Sequence, residues 1–194
     1  MERFFSNPSN APRWDANTGI TLLSGPPCCG KTSLLFQFAV NRAAESGRGV
    51  VFICSKGRLE SNPPFLSQGV DPSMSLLQRI QIKSCQQRYG TTRARDLAMV
   101  RVLALCYNAI GHANAKLGTL GSCNLLLSDV HQDDTPRSLF IYQRWIDSIY
   151  TIRGDGKGSY ILQNIGSPET GSKKARKAKY SIALQYLVLE ETSS

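Results

Sequence analysis

The chain has 194 residues, 41% of them hydrophobic, and a formal net charge of +9. This length and apolar content favour one α/β domain with a buried core over two domains. No apolar run approaches the roughly 20 residues that span a bilayer, and the first residues lack the apolar stretch of a secretory signal. The composition therefore predicts a soluble, intracellular protein without a membrane span.

The hydrophobic pattern predicts alternating strands and helices in a single domain at residues 19–189, with a leader at 1–18 and a tail at 190–194. A passage rich in Pro, Gly and Ser at 55–73 is predicted to be a long loop. This alternation predicts a mainly parallel sheet with helices on both faces and a ligand at the carboxyl ends of the strands. The predicted strands are 19–24, 49–54, 79–83, 124–128, 159–163 and 180–189, and the predicted helices are 31–46, 92–113 and 138–152.

One short stretch, "SGPPCCGKTS" at residues 24–33, fits the phosphate-loop pattern G-x-x-x-x-G-K-[ST]. In this pattern the turn directs backbone N–H groups at a triphosphate, Lys31 reaches the β and γ oxygens, and the Thr32 hydroxyl binds Mg²⁺. The following helix presents its N-terminus to the phosphates. The alternative is an ordinary Gly-Pro turn. The residues predicted to bind ATP are Gly25, Pro26, Pro27, Cys28, Cys29, Gly30, Lys31, Thr32 and Ser33.

The chain contains six cysteines, without a C-x-x-C pair and without histidines at metal-ligand spacing. A zinc site is therefore not expected, and in a reducing compartment most of these thiols are expected to pack as small apolar groups. Cys28 and Cys29 lie in the phosphate loop, where mainly the backbone contacts the ligand. The alternative for this pair is that the helix N-terminus and Lys31 lower a thiol pKa and make one cysteine sensitive to oxidation.

A carboxylate follows the apolar strand predicted at 124–128. Asp129 in this position is predicted to take a water of the Mg²⁺ that Thr32 binds. The alternative is that Asp129 only begins a polar turn. Asp133 and Asp134 are weaker candidates for the metal, and His131 is predicted to be a surface residue.

The net charge of +9 exceeds what solubility requires and suggests an anionic partner, most simply nucleic acid. Five cations fall within seven residues late in the chain. Contact with DNA, a nuclear-import signal and a merely solvated loop are the three interpretations of this run. The candidate DNA-binding residues are Lys173, Lys174, Arg176, Lys177 and Lys179.

The order of these parts resembles the core of the RecA/Rad-type recombinase family over roughly residues 15–165. The phosphate loop and its helix, "GPPCCGKTSLLFQFAVN", are similar to the family pattern in which Gln-x-x-Val closes the same helix. With "DPSMSLLQRIQIK" and "LLLSD", they look like the divergent recombinase paralogues that partner SWIM-domain zinc-finger proteins in Shu complexes. The resemblance implies a RecA-like P-loop NTPase in the nucleus that binds ATP and single-stranded DNA and supports recombinase filaments in homologous-recombination DNA repair.

The resemblance also implies roles for individual residues. Lys31 and Asp129 become catalytic, and Gln163 resembles the polar residue that senses the γ-phosphate. Where the family has a water-positioning glutamate, this chain has Lys56, which is not a base at neutral pH unless its pKa falls by several units; Glu60 is the alternative for that role. Hydrolysis is therefore predicted to be weak or dependent on a partner. The other hypotheses are an interaction module that binds ATP without hydrolysing it, and a P-loop kinase.

Overall fold

The computed structural model describes residues 4–5, 19–46, 49–84, 92–118, 122–131, 139–165 and 177–193. Its strands are β1 (Ile20–Gly25), β2 (Val50–Cys54), β3 (Ile80–Ser84), β4 (Leu125–Val130), β5 (Ser148–Gly154), β6 (Ser159–Ile165), β7 (Lys177–Ala183) and β8 (Tyr186–Ser193). Its helices are α1 (Lys31–Ser46), α2 (Lys56–Ser61), α3 (Met74–Leu77), α4 (Thr92–Leu117) and α5 (Leu139–Trp145). None of these helices is both long and apolar enough to cross a membrane.

Six of the strands form one mixed sheet in the order β4-β1-β5-β6-β7-β8. Strand β1 pairs in parallel with β4 and β5, and the pairings from β5 to β8 are all antiparallel. Strands β2 and β3 pair in parallel as a separate two-stranded sheet. The prediction of a RecA-like core with a mainly parallel sheet and helices on both faces is therefore wrong.

Short connections explain the antiparallel strands. Residues 138–152 were expected to form one helix, but α5 ends at Trp145 and β5 begins at Ser148. Only residues 155–158 separate β5 from β6, and a two-residue turn separates β7 from β8, within the predicted last strand 180–189. A parallel return needs a crossover of about a dozen residues, so these strands fold back antiparallel.

The largest apolar cluster lies between α1 and the six-stranded sheet. Leu23 of β1 and Leu34 of α1 are fully buried in it. Phe4 and Phe5 belong to the same cluster, and the Phe5 ring centroid lies 5.2 Å from that of Tyr180. The core thus extends into the predicted leader, just as β8 extends through the predicted tail to Ser193.

The remaining helices cover only part of the sheet. Helices α4 and α5 pack on the parallel strands around Leu22 and Ile149, and the β2–β3 pair packs on the other side of α1 around Val40 and Phe52. Over β6 to β8, the face that carries Lys179 bears an ion cluster instead of a helix, as far as the structure describes the chain. The parallel strands and α1 are therefore the elements that position the phosphate loop.

Candidate nucleotide-binding site

The phosphate loop connects the end of β1 to the start of α1, as predicted. Gly30 has a φ of 79°, and a Cβ there would lie 2.7 Å from Ile182 Cδ1. A Cβ on Gly25 would lie 2.8 Å from Ile152 Cβ. Both distances are shorter than packed carbon atoms allow, and the left-handed φ of Gly30 favours glycine as well. Both glycines of the pattern are therefore required by the backbone and its packing.

Lys31 holds its ammonium inside the loop. The side chain is only 9% exposed, and Nζ donates to the carbonyl oxygen of Gly25 at 2.8 Å and to that of Pro26. The Cys29 sulfur lies 3.6 Å from Nζ. Within the described residues no carboxylate forms a salt bridge with this ammonium. A nearly buried cation without a counter-ion is costly, so an anion in the loop would be strongly stabilised.

The two hydroxyl residues after Lys31 differ in their surroundings. Thr32 is exposed, as a residue that binds a metal with a ligand needs to be. Ser33 is buried, and its Oγ accepts a hydrogen bond from the Phe65 backbone N at 3.0 Å. One turn on, Gln37 Oε1 accepts from the Ser67 backbone N at 2.8 Å. Ser33 and Gln37 therefore anchor the 55–73 passage to α1, and Thr32 alone of the two hydroxyls faces solvent.

Asp129 lies beside the phosphate loop. In the parallel pairing of β1 and β4 it is the register partner of Ser24, the residue before Gly25. The carboxyl ends of the two strands thus bring together residues 105 positions apart, and Asp129 is half-buried there. Asp133 and Asp134 lie outside the described residues.

His131 was predicted to be a surface residue, and this is wrong. It is 3% exposed, its Nδ1 lies 2.8 Å from Ser24 Oγ, and its backbone N donates to the Gly25 carbonyl oxygen at 3.2 Å. Its Nε2 is buried without a hydrogen-bond partner among the described residues. Burial lowers the pKa of His131, and the Lys31 and Arg153 charges add to this, against the opposing effects of Asp129 and of the adjacent Ile152 backbone. The sequence shows a histidine in a polar turn and gives no signal of this environment.

Gln163 lies on the second strand from β1 in the sheet. It is half-buried on β6 and pairs with Thr151 of β5, which in turn pairs with Ser24 of β1. Strand β5 therefore separates Gln163 from β1. Thr151, 2% exposed, occupies the intervening position.

Two tyrosines support the loop, and sequence analysis missed both. Tyr180 donates its hydroxyl to the Cys29 carbonyl oxygen at 2.6 Å, and Tyr160 donates to the Cys28 carbonyl oxygen at 3.3 Å. The two rings stack with centroids 5.5 Å apart. Burial raises the pKa of Tyr180 far above its ordinary value, so its proton stays in the hydrogen bond. Strands β6 and β7 thus hold the loop backbone in place through the hydroxyls of these two tyrosines.

The cysteines of the loop have different environments. Cys29 is fully buried, and burial raises the pKa of its thiol despite the opposing effect of Lys31. This is the reverse of the shift that oxidation sensitivity requires. Cys28 is exposed and adopts a φ of 60°, a left-handed conformation that is strained for a residue with a Cβ.

The cationic run is only partly described. Lys173, Lys174 and Arg176 lie outside the described residues. Lys177 begins β7 and is exposed. Lys179 Nζ lies 3.1 Å from an Asp155 carboxylate oxygen and 3.4 Å from a Glu190 oxygen, so its charge is already matched by the protein.

Lys56 is the first residue of α2, directly after β2 and Ser55. The Ser55 carbonyl accepts from the Leu59 backbone N at 3.1 Å and so continues the helical hydrogen bonding. Glu60 lies on the same helix and is exposed. The resemblance implies a carboxylate after β2, but in this chain β2 leads into α2, which begins with Lys56.

The residues present fit Mg²⁺ bound together with a triphosphate. The described residues include no group of three or more His, Cys, Asp or Glu side chains arranged to hold a metal ion, which suits neither zinc nor an all-protein cage. Mg²⁺ instead keeps several waters and takes one or two protein oxygens plus phosphate oxygens. Thr32 and Asp129 would supply that pair of oxygens, and the Lys31 ammonium, which has no counter-ion among the described residues, would hold the phosphate.

Comparison with known proteins adds nothing to this geometry. No protein-family model matches the chain, and no curated protein is significantly similar to it. The case for a function rests on the loop, its buried lysine and the residues that surround them.

Proposed function

We propose that this chain binds ATP with Mg²⁺ at the phosphate loop and hydrolyses it slowly or only with residues from a partner. The observation that carries the proposal is the Lys31 ammonium, nearly buried among neutral carbonyls and a thiol and lacking a described counter-ion. A triphosphate supplies the missing negative charge at the point where the α1 N-terminus also favours it.

Each remaining residue has a defined part in binding. Lys31 would hold the β and γ phosphates, Thr32 the metal, and Asp129 a water of the metal. The metal would neutralise phosphate charge. Gly25 and Gly30 let the backbone take the shape that the phosphates require, because neither position accommodates a Cβ.

Slow hydrolysis follows from what surrounds the loop. The strand β2 leads into Lys56 rather than a carboxylate, Val130 follows Asp129, and Gln163 is separated from β1 by β5. A water-activating base is therefore missing from these expected positions. The second hypothesis, binding without any hydrolysis, differs only in turnover, and a single-turnover assay with radiolabelled ATP and added DNA separates the two.

Replacing Lys31 tests the proposal. Lys31→Ala should weaken Mg·ATP binding by roughly 100-fold, because hydrogen bonds from a charged donor contribute about 3 kcal/mol. Isothermal titration calorimetry measures the affinity, and circular dichroism checks the fold. Lys177→Ala, which removes an exposed lysine of the same charge, is the matched control and should leave the affinity unchanged. Equal affinities for wild type and Lys31→Ala would refute nucleotide binding at this loop.

A role on DNA is a separate proposal. Binding of single-stranded DNA in the nucleus, in support of recombinase filaments and beside a SWIM-domain zinc-finger partner, rests on the sequence resemblance and on the net charge of +9. Exposed Lys177 is the described residue of the run that favours it, whereas Lys179 is paired within the protein. The expected phosphate contacts are therefore four, namely Lys173, Lys174, Arg176 and Lys177.

Salt dependence tests the DNA proposal. Each phosphate contact to a single strand contributes about −0.7 to the log–log slope of affinity against salt. Alanine at the four positions should reduce the slope by this amount for every phosphate that is no longer neutralised, as measured by anisotropy of labelled oligo-dT. Lys179→Ala should change the slope little. An unchanged slope in the four-alanine variant, together with a failure of nuclear import, would identify the run as an import signal instead.

A further inference from the structure

The imidazole of His131 lies beside the phosphate loop, and one of its nitrogens has no hydrogen-bond partner among the described residues. Nδ1 is engaged by Ser24 Oγ at 2.8 Å, and the side chain is 3% exposed. Nε2 is buried and lacks a hydrogen-bond partner within the described part of the chain. Buried polar atoms are nearly always hydrogen-bonded, so an unpaired nitrogen beside the candidate site is a candidate contact for a bound ligand.

His131 and Lys31 converge on one atom. The His131 backbone N and Lys31 Nζ both donate to the Gly25 carbonyl oxygen, at 3.2 and 2.8 Å. The imidazole is also two residues beyond Asp129 on the strand that pairs with β1. The charges of Lys31 and Asp129 both act on the ring, so the imidazole lies near the cation that would hold the β and γ phosphates and near the carboxylate that would hold a water of the metal.

We propose that His131 donates a hydrogen bond from Nε2 to the γ-phosphate and thereby lets the site distinguish ATP from ADP. This inference rests on the proposed function. The proposal requires the tautomer in which the Ser24 hydroxyl donates to Nδ1 and the ring proton lies on Nε2; a doubly protonated ring donates from Nε2 as well. The contact therefore does not depend on the charge of the imidazole. It is available to a triphosphate and absent with a diphosphate.

Nuclear magnetic resonance of the unmodified protein tests the contact directly. The chain has two histidines, His131 and His112, and His112 is exposed on α4. With ¹⁵N-labelled histidine, the Mg²⁺ complex of the β,γ-imido analogue of ATP should shift the Nε2 resonance of His131, and Mg·ADP should not. The His112 resonances are the internal control. Equal shifts with both nucleotides, or none while calorimetry shows binding, would overturn the inference and leave nucleotide binding standing.

Substitution gives a second, independent readout. His131→Leu should weaken binding of the imido analogue about tenfold, the effect of one hydrogen bond to a charged group, and change ADP affinity less than about twofold. His131→Gln keeps an N–H donor and should restore part of the discrimination, while His112→Gln should alter neither affinity. If His131→Leu weakens both nucleotides equally, the residue is structural and the inference is wrong. If wild type binds neither nucleotide, it is the proposed function that fails.

Discussion

The phosphate loop is in contact with two halves of one sheet, and these halves use several of their polar groups differently. In the parallel half, β4, β1 and β5, Lys31 lacks a described counter-ion and His131 Nε2 lacks a described partner. In the antiparallel half, β6 to β8, the Tyr180 hydroxyl donates to the loop backbone and Lys179 is held by two carboxylates. Under the proposed function, the parallel half would receive the ligand, and the antiparallel half supports the loop that would bind it.

The topology explains this division of roles. Parallel strands bring all their carboxyl ends to one edge, so Ser24 and Asp129 meet there despite their distance in sequence. Antiparallel strands alternate their ends, and short turns such as 184–185 join them without leaving an open edge for a ligand. In the antiparallel half, Tyr180 and Lys179 have partners within the protein, whereas Asn164 Oδ1 of β6 is buried without a described partner.

The largest expected effect comes from removing the support. Tyr180→Ala should lower the free energy of unfolding by about 3–5 kcal/mol, because it empties a fully buried aromatic position beneath the loop. Urea unfolding followed by circular dichroism measures this change. Tyr186→Ala on β8 is the matched control, since Tyr186 is 44% exposed and its removal should cost far less. Equal effects of the two substitutions would break the comparison.

A smaller substitution at Tyr180 tests the support of the loop more specifically. Tyr180→Phe keeps the ring and leaves the Cys29 carbonyl oxygen without its 2.6 Å donor, which should cost about 1–3 kcal/mol of stability. Because this carbonyl belongs to the phosphate loop, Mg·ATP affinity should fall severalfold as well. Calorimetry on Tyr160→Phe provides the control, since its bond to Cys28 is longer, at 3.3 Å. A drop in affinity no larger for Tyr180→Phe than for Tyr160→Phe would contradict the assigned support.

One strained residue in the loop and one in the antiparallel half allow the effect of backbone strain to be compared. Cys28 in the loop and Leu184 in the β7–β8 turn both have left-handed φ angles, of 60° and 49°. Glycine at either position should stabilise the fold by about 0.5–1 kcal/mol, because it adopts this region without a Cβ clash. Thermal unfolding measures both gains. Only Cys28→Gly should change Mg·ATP affinity, and an equal change with Leu184→Gly would argue against separate roles for the halves.

The smallest effect is electrostatic and pH-dependent. The pKa of Asp155 is lowered mainly by a hydrogen bond from the Lys157 backbone and by the Lys179 ammonium. The pKa of Glu190 is lowered most by a hydrogen bond from the Ser159 hydroxyl, and less by the Lys179 ammonium. A carboxylate whose folded pKa is depressed stabilises the fold above its unfolded pKa and loses that contribution as pH falls through the folded pKa. The melting temperature should therefore decline below about pH 4. Lys179→Ala should make this decline shallower. If the melting temperature of the variant fell with pH as steeply as that of wild type, the ion pairs of Lys179 would contribute nothing to the acid dependence.

The sequence by itself determined the local features of the site. The spacing of Gly25, Gly30 and Lys31 predicted the loop, and the helical spacing after it predicted α1, which the structure confirms at Lys31–Ser46. The apolar strand that contains Asp129 was also predicted, because its hydrophobic pattern is a local signal. These features depend on residues close in sequence.

Only the tertiary structure decided strand direction and the partners of the loop. The β5 segment looked like the end of a helix, because neither its pairing with β1 nor the hydrogen bond from the Ile20 backbone N to Asp147 is visible locally. Burial of His131 and the reach of Tyr180 to Cys29 join residues more than 100 positions apart. Such contacts arise from the packing of the whole sheet, and periodicity carries no information about them.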